Sequence, residues 1–212
     1  IKKSNGCYFC KNKYFGAYGN GETKILAGGT DLIIGMKQAV SQPKRLVWLG
    51  KMKELQRIAF SPANGLNIGS MCTLDEIARN EHVRESFPSM VRAIRSIASP
   101  QIRNRATIGG NLCLNTRCFY YDQSESWRGA LGFCLKHGNG VCHAATEQEC
   151  CTAVFCSDLA PLLIALNATA GVSGPEGSRS MRLPELYSID GARHLALKTG
   201  ELLTEVRIPY VP

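Results

Sequence analysis

The sequence predicts an α+β fold, in one domain or two small lobes, that is interrupted by a cysteine-rich insert. Two glycine pairs, Gly28-Gly29 and Gly109-Gly110, stand between apolar segments of strand and helix length. Between the second pair and the next helix lies a segment rich in Gly and aromatic residues. It holds Cys118, Cys134, Cys142 and Cys151.

Composition and charge exclude several classes of protein. The chain has 212 residues, of which 44% are hydrophobic and 20% charged, so it is long and apolar enough to form a core. The most apolar window, 159–172, is shorter than the roughly 20 residues that span a bilayer. The first residues, Ile1-Lys2-Lys3-Ser4, lack the apolar stretch of a signal peptide. We expect a soluble, cytoplasmic protein.

The net charge of +8 does not by itself predict nucleic-acid binding. The basic residues are scattered in small groups, with no run of five, which is typical of a solvated surface. A local basic patch could equally face an anionic cofactor, an acyl-CoA or an acidic electron-carrier protein. We therefore expect no nucleic-acid or membrane partner.

The first glycine pair follows a short apolar strand, 24–27, and precedes a helix that begins at Leu32. Two glycines let a ligand approach the backbone closely, and free N–H groups at such a turn favour a phosphate. Thr30 and Asp31 can cap the helix. The alternative is a plain strand-to-helix turn, because Gly-Gly-Thr-Asp matches neither the dinucleotide fingerprint nor the P-loop.

The next segments are predicted to be scaffold. A strand at 45–49 is followed by a hairpin over 55–70, by a capping box that begins at Thr73, and by a helix that begins at Pro88 and carries Ile97 close before the second glycine loop. That loop, 103–112, again places a glycine pair beside Thr107 and Asn111. After the cysteines, Ser157 or Asp158 can cap a helix over 159–166, and further strands are expected at 168–172, 179–183 and 202–209.

The ten cysteines favour a metal site over disulfides, because no secretion signal is present. Cys7-x-x-Cys10 is a weak signal, since no second pair follows at zinc-ribbon spacing. Four cysteines without a regular Cys-x-x-Cys frame suit an iron–sulfur cubane that a loop wraps, and structural zinc is the rival. Buried, apolar surroundings are expected for Cys72, Cys113 and Cys156.

Four motifs resemble, in order, the FAD-binding subunit of the molybdenum hydroxylase (xanthine oxidase) family. They are Ile25-Leu26-Ala27-Gly28-Gly29-Thr30-Asp31-Leu32, Thr107-Ile108-Gly109-Gly110-Asn111-Leu112, Ser157-Asp158-Leu159-Ala160-Pro161 and the segment 200–209. The resemblance covers most of the chain from about Lys24 onward. It implies a two-lobed FAD-binding domain of the molybdenum hydroxylase type.

The resemblance also implies the cofactor-binding residues. The two glycine loops would hold the FAD pyrophosphate, Asp158 would lie near the ribityl or adenine side, and Leu203 would lie in the flavin environment. The full set implied is Ile25, Leu26, Ala27, Gly28, Gly29, Thr30, Asp31, Leu32, Ile97, Thr107, Ile108, Gly109, Gly110, Asn111, Asp158 and Leu203.

The cysteine insert resembles one branch of this family, the β subunit of 4-hydroxybenzoyl-CoA reductase, in which an inserted loop carries a [4Fe–4S] cluster. That resemblance implies Cys118, Cys134, Cys142 and Cys151 as the ligands. Cys150 adjoins Cys151, and only the family spacing selects Cys151. The implied lobes are 1–52, with an atypical N-terminus, and 53–212, with the insert at 113–156. The family's C-terminal domain is expected to be absent.

The resemblance predicts an electron-transfer subunit of a molybdenum-dependent aromatic acyl-CoA reductase. Its FAD and [4Fe–4S] cluster would pass electrons between a ferredoxin and partner subunits, a large one with the molybdenum cofactor and a small one with [2Fe–2S] centres. No catalytic acid or base is expected in this chain. The alternatives are an FAD subunit of an aldehyde or purine hydroxylase whose insert is structural, and a zinc-stabilised binding module.

Overall fold

A computed structural model describes residues 23–138 and 140–210 as a mixture of short helices and two β-sheets. The Cys7-x-x-Cys10 pair and the atypical N-terminal segment, up to residue 22, lie outside the described residues. The α+β class is confirmed for the part that is described. No helix there has the length and apolar character needed to cross a bilayer.

The smaller sheet joins β1 (Thr23–Leu26) and β2 (Arg45–Trp48) as parallel neighbours, with Thr23 opposite Arg45. Helix α1 (Leu32–Lys37) forms part of the connection that a parallel pair requires. This sheet packs through a small apolar cluster, of which Leu49, Leu55, Met71 and Leu202 are the buried members. Because Met71 and Leu202 belong to the larger part of the protein, the cluster attaches the small sheet to it.

The larger sheet is antiparallel and has five strands in the order β3-β4-β7-β5-β6. The predicted hairpin is confirmed as β3 (Ile58–Ser61) and β4 (Gly65–Gly69), and the three late strands are confirmed as well. They are β5 (Thr169–Gly174), β6 (Gly177–Arg182) and β7 (Leu202–Ile208). Apolar residues that alternate along β4 and β7, among them Leu66, Ile68 and Val206, are completely buried in the main core.

Helices α2 (Leu74–Arg79), α3 (Glu81–Ser86) and α4 (Pro88–Ser96) cover the main core. The short helix α5 (Pro100–Arg103) follows them and buries no residue. The predicted capping box is confirmed, because the Thr73 hydroxyl accepts from the Glu76 amide and the Glu76 carboxylate accepts from the Thr73 amide. Pro88 begins α4, where its missing N–H costs nothing.

The remaining helices are α6 (Ile108–Leu112), α7 (Glu125–Leu131) and α8 (Ala160–Ala165), and short 3-10 turns occur at Lys53–Leu55, Leu135–His137 and Leu183–Leu186. Neither of the two residues expected to cap α8 is its N-cap, which is Leu159 and makes no side-chain capping hydrogen bond. The Ser157 hydroxyl nevertheless accepts from the Ala160 amide, at 3.2 Å, just before the helix. The division into lobes at residue 52 stays a prediction.

Candidate functional site

The two glycine loops are in direct backbone contact. A Cβ atom at Gly28 would lie 1.8 Å from the carbonyl oxygen of Arg105, so no side chain fits at this position. Gly29 has a φ of +78°, which favours glycine, and it turns the chain from β1 toward α1. Glycine at these two positions therefore brings the first loop against the second.

The first loop leaves hydrogen-bond donors available. The backbone N–H groups of Gly28, Gly29 and Thr30 donate to no acceptor among the described residues, and all three residues are partly exposed. Unpaired amides at a glycine turn are suited to an anionic group. This part of the chain fits the pyrophosphate of a bound nucleotide.

Asp31 does not cap α1, contrary to the sequence prediction. Its carboxylate makes no capping hydrogen bond and instead forms an ion pair with Arg117, which stands immediately before the first insert cysteine. The prediction was wrong because a cationic partner 86 residues away competes for this carboxylate. The ion pair connects the first glycine loop to the base of the cysteine segment.

The second glycine loop is tied into the protein more tightly than the first. Thr107 caps α6 by accepting from the Gly110 amide at 3.0 Å, and the Gly109 amide donates to Ser70. A Cβ at Gly109 would lie 2.7 Å from Ser70 atoms. The free donors are thus mainly on the first loop, and exposed Gly110 is where the second loop reaches the surface.

Asn111 joins the second loop to the Ser157-Asp158 motif. Its side-chain oxygen accepts from the Ser157 hydroxyl and the Leu159 amide, each at 3.0 Å, and its amide nitrogen donates to the Asp158 carboxylate at 2.9 Å. Asn111 is buried, whereas Asp158 is exposed. The structure therefore brings three of the sequence motifs together and leaves the Asp158 carboxylate at the surface.

The apolar residues of the predicted set lie mainly in scaffold positions. Leu203 is 2% exposed as a whole residue and belongs to the main core, opposite Val172 of β5. Ile97 follows α4 and packs against the same core. Ile25 and Ala27 pack against the small cluster. The remaining members follow their motifs: Leu26 ends β1, Leu32 begins α1, and Ile108 is buried in α6.

The four cysteines predicted as ligands line one small pocket. We call it the cysteine pocket; its walls are Cys118, Tyr120, Cys134, Leu135, Lys136, Cys142, His143, Cys151 and Ala153. Cys142 and Cys151 are buried, and Cys118 and Cys134 are half-buried. Cys150 is exposed and is not part of the wall.

Hydrogen-bond donors surround two of these sulfurs. The pKa of Cys142 is lowered, first by the hydroxyl of Thr152, which lies 3.4 Å from Sγ, and further by the amides of Ala144, Ala145 and Thr152. Burial raises the pKa of Cys151, although the Ala153 amide and the Lys136 charge oppose that effect. Amides and hydroxyls directed at sulfur are an environment that stabilises thiolate ligands.

No three His, Cys, Asp or Glu side chains within 23–138 and 140–210 are arranged to hold a single metal ion, and all eight cysteines of this part are free thiols. A cubane bonds each thiolate to a different iron, so its ligands stand farther apart than those of one ion. The cysteine pocket brings together four thiols from separate loop positions, and thiolate is the ligand type that such a cluster takes.

Burial favours the neutral thiol at two further cysteines: it raises the pKa of Cys72 to about 11 and that of Cys113 to about 12. Of the three cysteines expected to be buried, Cys72 is buried, whereas Cys113 and Cys156 are half-buried. The Cys156 thiol donates to the Val154 carbonyl at 3.2 Å.

Sequence reasoning missed three residues at or near the cysteine pocket, Tyr121, Arg128 and Lys136. Lys136 lines it, and both Lys136 Nζ and the guanidinium carbon of Arg128 lie over the Tyr121 ring, at 4.9 and 5.0 Å from its centroid. Burial lowers the pKa of Lys136. The only sequence signal was the position of Lys136 two residues after Cys134.

A larger groove, about 570 Å³ in volume, adjoins the cysteine pocket and shares Cys118 and Tyr120 with it. Arg117, which is paired with Asp31 of the first glycine loop, lies in its wall. The groove and the pocket thus form a continuous surface from the first loop to the four cysteines.

Together, the free loop amides and the joined glycine loops define a domain that binds an anionic nucleotide cofactor. Residues 12–211 match the family described as the FAD binding domain in molybdopterin dehydrogenase, and the chain belongs to this family. The FAD-binding fold predicted from the motifs is thereby confirmed.

Two relatives illustrate the match. The chain is 34% identical over 195 residues to the aldehyde oxidoreductase FAD-binding subunit PaoB of Escherichia coli (strain K12), a match that covers 88% of this chain and 61% of PaoB. It is 29% identical over 185 residues to the nicotinate dehydrogenase FAD-subunit of Eubacterium barkeri, with 87% and 49% covered.

Among solved structures, reconstituted CO dehydrogenase from Oligotropha carboxidovorans superposes with a TM-score of 0.67 at 27% identity, covering 90% of this chain and 52% of that one. The chain therefore spans about half to three-fifths of the length of these relatives.

Proposed function

We propose that this protein is the FAD-carrying electron-transfer subunit of a molybdenum-dependent dehydrogenase. The observation that carries the proposal is the contact between the two glycine loops, which places the unpaired amides of Gly28, Gly29 and Thr30 beside the second loop. A family match over residues 12–211 supports FAD as the nucleotide.

The residues of this chain would bind and orient the flavin. The first-loop amides would donate to the pyrophosphate, exposed Gly110 would allow close approach at the second loop, and the Asp158 carboxylate would accept from ribityl or adenine-side groups. Asn111 would keep that carboxylate in place through its 2.9 Å hydrogen bond. When bound, FAD supplies the capacity to accept electrons in pairs and to pass them on singly.

We further propose that Cys118, Cys134, Cys142 and Cys151 ligate a [4Fe–4S] cluster. The shared wall of the cysteine pocket supports this ligand set, as do the donors around Cys142. The exposure of Cys150 favours Cys151 as the fourth ligand. Mononuclear zinc is less well supported, because no group suited to a single ion occurs in the described part of the chain.

For the substrate, the relatives favour an aldehyde or nitrogen-heterocycle oxidation over reduction of an aromatic acyl-CoA. PaoB is named for an aldehyde oxidoreductase, and the Eubacterium barkeri protein for a nicotinate dehydrogenase. The acyl-CoA prediction rested on the cysteine insert. The alternative that the sequence left open was an FAD subunit of an aldehyde or purine hydroxylase with a structural insert, and its substrate class is the one that the relatives favour.

The proposed partners follow from the same reasoning. A large subunit would carry the molybdenum cofactor and the substrate, and a small subunit would carry [2Fe–2S] centres. An external electron carrier such as a ferredoxin would act at the cluster. Its role stays a prediction, as does the direction of electron flow.

Anaerobic purification of the complex tests the proposal. We expect flavin absorbance equivalent to one FAD per copy of this chain, and about four iron and four sulfide beyond those of the [2Fe–2S] subunit. Absence of flavin would refute FAD binding. Zinc in place of the additional iron would refute the cluster and leave the flavin proposal standing.

A further inference from the structure

Lys136 is held rigidly beside the cysteine pocket. Its ammonium group donates to the carbonyl oxygen of Thr116 at 2.5 Å and to the hydroxyl oxygen of Thr116 at 2.6 Å, and it lies over the Tyr121 ring. Thr116 is itself buried, and its hydroxyl donates to the Gly191 carbonyl at 2.6 Å. These contacts leave the ammonium little freedom to move away.

Lys136 has no direct ion-pair partner in the described part of the chain, although the Asp122 carboxylate acts on its charge from a greater distance. The nearby Asp122 accepts from the Cys118 amide at 3.0 Å, and Arg117 is paired with Asp31. The second cation over Tyr121, Arg128, is 7% exposed, and its Nε has no hydrogen-bond partner there.

Two partly or fully buried cations without carboxylate partners are costly unless negative charge lies close to them. Four thiolates around a [4Fe–4S] core carry a net negative charge, which increases by one when the cluster is reduced. A fixed positive charge stabilises the more negative state most.

Resting on the proposed cluster, we propose that Lys136 is a positioning residue that sets the reduction potential of the cluster. Its ammonium favours the reduced form and so raises the potential. Contacts with Thr116 and Tyr121 hold the Lys136 ammonium in place. The Arg128 guanidinium, which also lies over the Tyr121 ring, adds to the positive electrostatic potential.

The test is a redox titration of the anaerobically purified complex, followed by the EPR signal of the reduced [4Fe–4S] cluster. Lys136→Gln keeps N–H donors for Thr116 but removes the charge. We expect it to lower the equilibrium constant for one-electron reduction of the cluster about tenfold, which corresponds to a reduction potential about 59 mV lower. Lys136→Met should produce a similar decrease, and Lys136→Arg, which keeps the charge, should restore the wild-type potential.

The matched control is Lys198→Gln, which removes the same charge from an exposed lysine paired with Glu176, outside the cysteine pocket. Its potential should equal that of the wild type. An unchanged potential in both neutral Lys136 variants, with the iron content intact, would overturn the inference. Loss of iron from both would also overturn it, because Lys136 would then be needed for assembly. A wild-type complex without the additional iron would refute the cluster proposal itself.

Discussion

Cys150 and Cys151 are adjacent in sequence but have opposite surroundings. Cys151 is 6% exposed, lines the cysteine pocket and donates its backbone N–H to Asp190 at 3.2 Å. Its carbonyl oxygen also accepts from the Gly191 amide at 2.8 Å. Cys150 is exposed. These backbone contacts place the Cys151 thiol inward and leave Cys150 exposed. From the sequence, only the family spacing favoured Cys151.

Serine substitution separates the two cysteines. Cys151→Ser should remove about four iron per copy of this chain while FAD remains bound, because a serine hydroxyl is a poor substitute for a thiolate ligand. Cys150→Ser is the matched control and should leave iron, sulfide and flavin unchanged. Colorimetric iron and sulfide assays with flavin absorbance make the comparison. Iron loss in Cys150→Ser alone would reverse the ligand assignment.

Gly28 is the residue on which contact between the two loops depends. Gly28→Ala should destabilise the protein by about 1 to 3 kcal/mol, since the added methyl group meets a backbone carbonyl that cannot rotate away. The loops would move apart, and we expect FAD affinity to fall about tenfold or more, equivalent to about 1.4 kcal/mol. Urea unfolding and flavin titration measure the two effects.

Gly35→Ala is the control for that substitution. Gly35 lies within α1, and its nearest neighbour to an added Cβ is Ser41 Cβ at 3.9 Å, which is ordinary contact. Alanine is the better helix former, so stability should be unchanged or rise by up to about 1 kcal/mol. Equal effects of the two substitutions would contradict the role assigned to Gly28.

At the scale of elements, a charged pair links strand β6 to the residue that immediately precedes β7. Arg179 Nε and Nη2 donate to the two carboxylate oxygens of Glu201 at 2.8 and 2.7 Å. The Glu201 side chain is 9% exposed, and the hydrogen bonds from Arg179 lower its pKa below the ordinary value of 4.5. A bidentate pair of this kind holds its carboxylate charged.

The pH dependence of stability follows from that lowered pKa. A carboxyl group with a depressed folded-state pKa contributes stability above about pH 4.5, and the contribution is lost as the pH falls through the folded-state pKa. Glu201→Gln should therefore cost about 1 to 2 kcal/mol at pH 7, after allowing for the exposure of Arg179, and little at pH 3.

Glu185→Gln provides the comparison, because Glu185 pairs with Arg182 at the exposed surface. Its effect at pH 7 should be much smaller than that of Glu201→Gln. Urea unfolding of both variants between pH 3 and pH 7 gives the measurement. A pH-independent cost for Glu201→Gln would show that packing, and not ionisation, accounts for its contribution.

Local sequence signals predicted elements well where the controlling contacts are local. The capping box at Thr73 and the hairpin turn at Gly65, which has a φ of +70°, depend on residues within a few positions. Asp31 failed as a cap because its partner is distant in sequence, and α7 was not predicted at all. The roles of Lys136 and Arg128 likewise depend on Tyr121, which only the folded chain brings to them.

At the scale of the whole molecule, the sheets and the cysteine segment differ in what holds them. The five-stranded sheet and helices α2 to α4 share a continuous apolar core. In the described residues of the segment 118–153 there are one seven-residue helix, one short 3-10 turn and several exposed apolar side chains, among them Phe119 and Val141. We therefore expect the folded structure of this segment to depend on the proposed cluster more strongly than the five-stranded sheet does.

Removal of the cluster tests that difference. After the [4Fe–4S] iron is removed by oxidation and chelation, proteolysis should cut first within 118–153, and the sheet should keep a cooperative thermal transition. The iron-loaded complex should resist cleavage at those sites under the same conditions. Mass spectrometry of the fragments locates the cuts. Simultaneous loss of the sheet transition would mean that the cluster supports the entire domain.

The backbone bridge between Arg117 and Val154 makes insertion or deletion of the segment between them structurally simple. Each residue donates its amide to the carbonyl of the other, at 2.9 and 2.7 Å, so the backbone leaves and re-enters the domain at almost one place. Deletion of the residues between these two positions, with a tight turn in their place, would leave the backbone of the FAD domain continuous. A segment attached in this way can be gained or lost as a unit without breaking the backbone of the domain that carries it.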